Sequence, residues 1–514
     1  MLRLLLAIAI ALPLYELVRR VVVRAVQDAL RKRARAFAET HQVRVDLFKF
    51  GGKQLVREEL LNDLVVAKAM MEAVQRGERA TLVRDRVETY IDEIVPAFSL
   101  TAYYQFGMKL ARAAIRAVYK PVVDAASVRR LATLPADATA VFLINHRSNF
   151  DYVVVGWALA RRVAISYAVG EWARVFPLDA LFRAFGGFFV RRGFPDPLYH
   201  TVLRRYLQLI TRHGVTQGIF PEGGLTRDGA LRAPKVGLLD ALLQLTADPE
   251  FKRELYFVPV GLNYDRVLED ETLLAELRGR ERPPTVGEKL RGALRLLWIV
   301  PWRALVNAVR VATGRLQRHG YVAVAFGEPV GWRTLAGELG LPEARFSRMG
   351  DEERRSVAKQ VAASLMKRIA AVIPATPVPL LARAALDLDC RGTEDELAAR
   401  VRELRAALEE RGIPTALGRE FDPQRAARQE LAEGPGTRGV VELEAEVLAT
   451  EEAEQIVRLA LEHLAGRRIL AVEDGQVRPG SHPHARELLE YYARSLDAPG
   501  EPAGASRART QLAT

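Results

Sequence analysis

Between residues 17 and 120 apolar positions recur at three- and four-residue spacing, as in Leu60, Leu61, Leu64, Val65, Ala67 and Met70, with no alternating run. That period is the signature of amphipathic helices and predicts an N-terminal helical bundle over 25–120. The pattern changes at Pro121. Short β-type runs at 141–144, 163–169, 188–190, 217–220, 256–262 and 321–326 then alternate with helical patterns at 152–161, 198–212 and 235–245. Such alternation predicts an α/β domain over 121–332, a mixed sheet with crossover helices. Polar clusters close several of the runs, at the strand ends where open sheets bind ligands. The proline-rich stretch Pro374-Ala375-Thr376-Pro377-Val378-Pro379 is expected to break any helix. Helical patterns at 394–410 and 453–464 make 333–497 a mostly helical C-terminal domain, and the tail 498–514, poor in large apolar residues, is expected to be disordered.

Two segments mix apolar and basic residues in a way that bears on membranes. Residues 4–15 are uncharged, with Arg3 before them and Arg19, Arg20 and Arg24 after. The run is shorter than the ~20 residues that span a bilayer and lacks a cleavage-site pattern, so 1–24 reads as a short anchor or interfacial helix. A buried first helix is the competing reading. Within 285–318, an insertion between two strand patterns, Trp298 and Trp302 stand among Arg291, Arg295, Arg303 and Arg310, as an amphipathic helix lying on a lipid surface requires. An ordinary core-facing helix has similar stripes. The excess of 75 Lys and Arg over 63 Asp and Glu, +12 in all, fits a phospholipid surface or phosphorylated substrates. A nucleic-acid partner is not expected, because the basic residues are dispersed and no binding module is visible. The single cysteine, Cys390, excludes an intrachain disulfide and a thiolate metal site.

The chemistry gathers at the strand ends. INHRSNFD follows the run 141–144 and precedes a helix, which places His146 in the strand-to-helix turn and Asp151 in the first helical turn. From there Asp151 would accept a hydrogen bond from one imidazole nitrogen, leaving the other to take a proton from a substrate hydroxyl. The spacing is weak evidence by itself. Gly186 and Gly187 precede a strand ending in Arg191 and Arg192, whose guanidinium forks suit phosphate but are more often a surface edge. After 217–220 comes FPEGGLTR, with Glu222, Gly223, Gly224 and Arg227, followed by Lys235. The fourth cluster, VPVGLNYD, surrounds Pro259.

Four such blocks in this order resemble the glycerol-3-phosphate acyltransferases of the wider phospholipid and glycerol acyltransferase superfamily, over about residues 121–331. The H-x4-D block, the G-x-x-F-x-x-R block (Gly186, Phe189, Arg192), the F-x-E-G-G block and the proline block all match. The resemblance implies that His146 deprotonates the 1-hydroxyl of glycerol 3-phosphate for attack on a fatty thioester, oriented by Asp151. It implies that Arg192 and Arg227 bind phosphate, with Arg191 and Lys235 as neighbours. Glu222, Gly223 and Gly224 would shape the acceptor pocket, and Pro259 would support the acyl-donor side. It further implies acyl-CoA or acyl carrier protein as co-substrate, no bound cofactor or metal, and work at the cytoplasmic face of the inner membrane. Pro221 and Leu225 depart from the residues common in this branch, which leaves the reaction type intact and opens the acceptor preference to dihydroxyacetone phosphate or a lysophospholipid. A catalytically silent scaffold is disfavoured by the joint presence of His146, Asp151, Glu222 and Arg227.

Overall fold

The computed structural model of the protein describes residues 52–96, 108–135, 137–159, 165–170, 186–191, 193–279, 318–341, 349–413, 415 and 453–497. The expected anchor at 1–24, the insertion at 285–318 apart from its last residue, the tail and Arg192 lie outside the described residues. Among the described residues no helix is long and apolar enough to cross a membrane. Eight strands run β1 (Lys120–Val123), β2 (Thr139–Ile144), β3 (Ser166–Gly170), β4 (Phe188–Val190), β5 (Gln217–Ile219), β6 (Leu255–Tyr264), β7 (Tyr321–Phe326) and β8 (Val330–Gly331). Three more follow near the C-terminus: β9 (Gly392–Thr393), β10 (Leu470–Glu473) and β11 (Gln476–Pro479). The alternation of strands with helices is the α/β arrangement read from the sequence. The chain divides into two compact units.

The first unit holds the described residues before 107 and those within 159–216. Its helices Leu64–Gln75 and Ala80–Ile94 pack on Pro197–Arg212, burying Val66, Val83, Val87 and Ile91 on one side and Leu198, Tyr199, Val202 and Tyr206 on the other. One side chain organises two of these helices. Oδ1 of Asp63 caps Leu64–Gln75 by accepting from Val65 N and Val66 N, and Oδ2 accepts from Arg205 at 2.6 and 2.9 Å. Asp196 caps Pro197–Arg212, which starts on a proline whose missing N–H costs nothing there. β3 and β4 pair in parallel in the same unit.

The second unit holds residues within 107–158 and from 217 onward. Its sheet runs β1-β7-β6-β2-β5, with β8 on β6. β2 is parallel to both β5 and β6, while β7 runs antiparallel to β6 and parallel to β1. β2 is TAVFLI and is buried at every position, so it reads as a continuous apolar run and not an alternating one, as strands covered on both faces do. Because β5, β2 and β6 are adjacent and parallel, their C-terminal ends open at one edge of the sheet. β1 went unrecognised in the sequence; it is four residues long and carries Pro121, which an edge strand tolerates.

The segment 333–497 falls in the same compact unit as β2. It is mostly helical but contains the antiparallel sheet β10-β11-β9. The helix Asp351–Ala370 ends before the prolines at 374–379, and the last two of them open a new one. Pro377–Asp387 begins with Pro377 in its first turn, where backbone N–H groups have no intrahelical acceptor. The N–H of Val378 is taken instead by Asp265 Oδ1 at 3.0 Å. Gly261 of β6 lets this region approach, since a Cβ there would stand 2.1 Å from the carbonyl oxygen of Val372.

Candidate active site

The turn between β2 and the helix Asp151–Ala158 is buried and polar, a costly combination unless every group is paired. Its pairing is nearly complete. His146 N donates to Glu222 at 2.7 Å, Arg147 N and Ser148 N donate to Asp151 Oδ2 at 2.8 and 3.1 Å, and Asn149 N donates to Glu269 at 3.1 Å. Phe150 N donates to Ser148 Oγ, and Asp151 N to the carbonyl of Ser148, both at 3.1 Å. The six consecutive N–H groups therefore all have acceptors, four of them on carboxylates. Asn145 ties the start of the turn to β6 with a two-point amide contact to Leu262, at 2.9 and 2.7 Å.

His146 is 1% exposed and its Nδ1 lies 2.9 Å from Asp151 Oδ2. An ionised carboxylate only accepts, so Nδ1 carries the hydrogen and Nε2 presents its lone pair. Nε2 has no hydrogen-bond partner among the described residues. Asp151 is fixed in turn: Oδ2 takes the imidazole and two backbone N–H groups, and Oδ1 accepts from the Tyr264 hydroxyl at 2.5 Å. The imidazole lies against the Phe220 ring, centroids 4.2 Å apart, with the edge of Tyr152 at 5.7 Å. A base so held delivers a proton acceptor in one orientation.

The FPEGGLTR loop after β5 clamps His146 along its backbone. Glu222 accepts the His146 N–H, and Thr226 N donates to the His146 carbonyl at 3.0 Å. The other oxygen of Glu222 accepts from Arg232 N at 2.9 Å. Burial pushes the Glu222 carboxyl up to about 7, opposed by those two backbone donors and by nearby Arg147. Gly223 adopts φ +64°, and a Cβ there would stand 2.6 Å from Cδ of Lys235, whose side chain lies across it. Gly224 is buried; Lys235 and Arg227 are exposed, the latter with Nε 3.2 Å from Glu276. Pro259 sits within β6, paired with Leu143 of β2, and its carbonyl accepts from Gly327 N at 2.8 Å. His146, Asp151, Glu222 and the glycine turn are thus gathered at the edge where β2 and β5 end.

Arg191 belongs to the first unit, where its guanidinium grips Glu93 through two hydrogen bonds and stacks on Phe194 at 4.5 Å, with Tyr90 and Tyr199 at 5.7 Å. Several functional candidates escaped sequence reasoning. Tyr264 stood in the fourth block, but nothing along the chain showed that its hydroxyl reaches back to Asp151. Glu269, which holds Asn149 N and Ser148 Oγ, the latter at 2.8 Å, has no motif around it. Arg147 stood inside the quoted stretch and is 3% exposed. Among the described residues no cluster of three or more His, Cys, Asp or Glu is placed to hold a metal ion.

A family model described as acyltransferase matches residues 126–263, spanning the His146 turn, the glycine loop and β6 up to Asn263. A second, the glycerol-3-phosphate acyltransferase C-terminal region, matches residues 305–459. Both matches make the chain similar to glycerol-3-phosphate acyltransferases. The glycerol-3-phosphate acyltransferase of Aeromonas hydrophila is 30% identical over 389 residues, 73% of this chain and 45% of that protein. That of Pseudomonas fluorescens is 27% identical over 361 residues, 68% of this chain and 40% of its own. The chain therefore spans less than half the length of these curated relatives. The crystal structure of the 1-acyl-sn-glycerophosphate (LPA) acyltransferase, PlsC, from Thermotoga maritima aligns with a TM-score of 0.28 and 18% identity, over 52% of this chain and 80% of that one.

Proposed function

We propose that the protein transfers a fatty acyl group from acyl-CoA or acyl carrier protein to the 1-hydroxyl of sn-glycerol 3-phosphate, giving 1-acylglycerol 3-phosphate. The observation that carries the reading is the buried His146, with Nδ1 committed to Asp151 and Nε2 unpartnered. The acceptor hydroxyl gives its proton to Nε2 as its oxygen attacks the thioester carbonyl. The imidazolium so formed is stabilised by Asp151, and the tetrahedral intermediate collapses to the ester with departure of the thiol, which recovers the proton. A thioester is already activated, so positioning and a base suffice for the chemistry described. The names of the curated relatives from Aeromonas hydrophila and Pseudomonas fluorescens, both glycerol-3-phosphate acyltransferases, support this acceptor.

The +12 charge and the apolar and tryptophan-bearing segments at 4–15 and 290–316 support work on an anionic lipid surface, at the cytoplasmic face of the inner membrane. The deciding assay gives purified protein palmitoyl-CoA with glycerol 3-phosphate, dihydroxyacetone phosphate or a lysophospholipid. Acylation of glycerol 3-phosphate at the 1-position is expected. Turnover of another acceptor with none of glycerol 3-phosphate overturns the assignment, and no turnover of any leaves the scaffold reading in its place. Carbonate extraction of cell membranes tests the anchor.

A further inference from the structure

We propose that Arg147 and Tyr491 form the anion-binding half of the acceptor site, the guanidinium and the phenol hydroxyl both donating hydrogen bonds to the acceptor's phosphate. The inference rests on the acceptor assigned above and adds to it a residue, Tyr491, that lies outside both segments matched by family models.

Arg147 follows the base directly and is as buried as it. An arginine brings five N–H donors, and burying its charge costs several kcal/mol unless an anion answers it. Within the described protein its guanidinium has one long contact, NH2 to the Ser495 carbonyl at 3.5 Å, and its Nε has none. No carboxylate among the described residues pairs with it. The carboxylates of the same turn and loop, Asp151 and Glu222, are engaged elsewhere: Asp151 receives four donors, and Glu222 spans the backbone N–H groups of His146 and Arg232. The Tyr491 hydroxyl is likewise buried without a partner.

The fold holds the backbone of these two residues close to the glycine loop. Gly229 packs against the helix Ala485–Ala493 so tightly that a Cβ would stand 1.8 Å from the Tyr491 carbonyl oxygen, and Arg494 pairs with Asp228 at 2.8 Å. Asp151 holds both the backbone N–H of Arg147 and the His146 imidazole, and the Arg147 guanidinium reaches the Ser495 carbonyl just beyond the helix that carries Tyr491. A buried cation and a buried hydroxyl, both with unused donors and both carried on backbone held against the loop that clamps the base, match a phosphate monoester, which accepts through several oxygens.

The test measures kcat/KM for glycerol 3-phosphate against kcat/KM for glycerol with the same acyl-CoA, together with the rise in Tm caused by inorganic phosphate. Arg147→Met is expected to lower the ratio about 100-fold and Tyr491→Phe about 10-fold, the range of charge-assisted hydrogen bonds. Both are expected to abolish the phosphate-induced rise. Tyr491→Phe removes an unpaired hydroxyl and keeps the ring, so it stays informative where Arg147→Met fails to fold. An unchanged ratio in Tyr491→Phe, or phosphate raising Tm as much in the variant as in the native protein, overturns the proposal. A native protein that fails to acylate glycerol 3-phosphate, yet is stabilised by phosphate in a Tyr491-dependent way, overturns the acceptor assignment and keeps the anion site.

Discussion

The turn after β2 and the segment after β4 are built from similar parts: an apolar strand, a charged or titratable side chain, an acidic partner and aromatic rings. After β4, Arg191 spends its fork on Glu93 and its faces on Phe194, Tyr90 and Tyr199. After β2, His146 spends one nitrogen on Asp151 and keeps the other unpartnered. The first arrangement is what a structural ion pair requires and the second is what a base requires. Sequence placed both at strand ends; the count of donors and acceptors already used separates them in the structure.

The sharpest way to break this contrast is at the unpartnered nitrogen. His146→Ala is expected to lower kcat/KM for acyl transfer by about 10²- to 10⁴-fold, the usual weight of a general base, with little loss of Tm. Steady-state assays with palmitoyl-CoA and glycerol 3-phosphate, next to a thermal melt, check both halves. A variant that turns over at the native rate removes His146 from the chemistry. At Arg191 the opposite balance is expected. Glu93→Gln keeps the shape of the side chain and removes its charge, so it should cost about 1–3 kcal/mol of stability, the worth of a hydrogen bond to a charged group, measured by denaturant unfolding. A raised KM for glycerol 3-phosphate at unchanged stability would put Arg191 on the substrate and erase the distinction.

Much of this was legible along the chain because it is local. The run TAVFLI and the block that follows set strand, turn and helix within 20 residues, and His146 and Asp151 are five residues apart. What could not be read is what the sheet order brings together. Glu222 reaches His146 across 76 residues, Tyr264 reaches Asp151 across 113 and Glu269 reaches Ser148 across 121. None of these distances leaves a periodicity or a spacing. One local signal was missed. Asp474 and Gly475, with φ of 51° and 72°, join β10 to β11 as the Asp-Gly pair of a two-residue hairpin, although 333–497 reads as mostly helical.

Glu222 offers a smaller test in the same turn, by pH. Burial is the main cause that pushes its carboxyl from the ordinary 4.5 up to about 7 in the folded protein. The folded state therefore binds this proton more tightly than the unfolded chain. The group contributes stability that is fully present below about pH 4.5 and is lost as the pH rises through about 7. Glu222→Gln removes the titration, so the fall in Tm across that window should be shallower than in the native protein. Glu269 and Asp265 are also raised by burial and remain in both proteins, so the difference between the two curves isolates Glu222. Parallel curves would place the proton elsewhere.

Gly223→Ala carries the least expected effect and asks what the glycine loop owes to backbone and what to its neighbour. Two costs are present: φ of +64°, and a Cβ 2.6 Å from Cδ of Lys235. The first is intrinsic to an L residue and amounts to about 1 kcal/mol. The second falls on the flexible stem of an exposed lysine, which moves aside at little cost. Gly223→Ala should therefore lose about 1 kcal/mol whether or not Lys235 is first cut to alanine, with a coupling energy under about 0.5 kcal/mol in the double-mutant cycle. Full rescue by Lys235→Ala would show that crowding dominates. The loop that clamps His146 would then be held by a side chain laid across it, and the contrast with the side-chain-locked Arg191 would narrow.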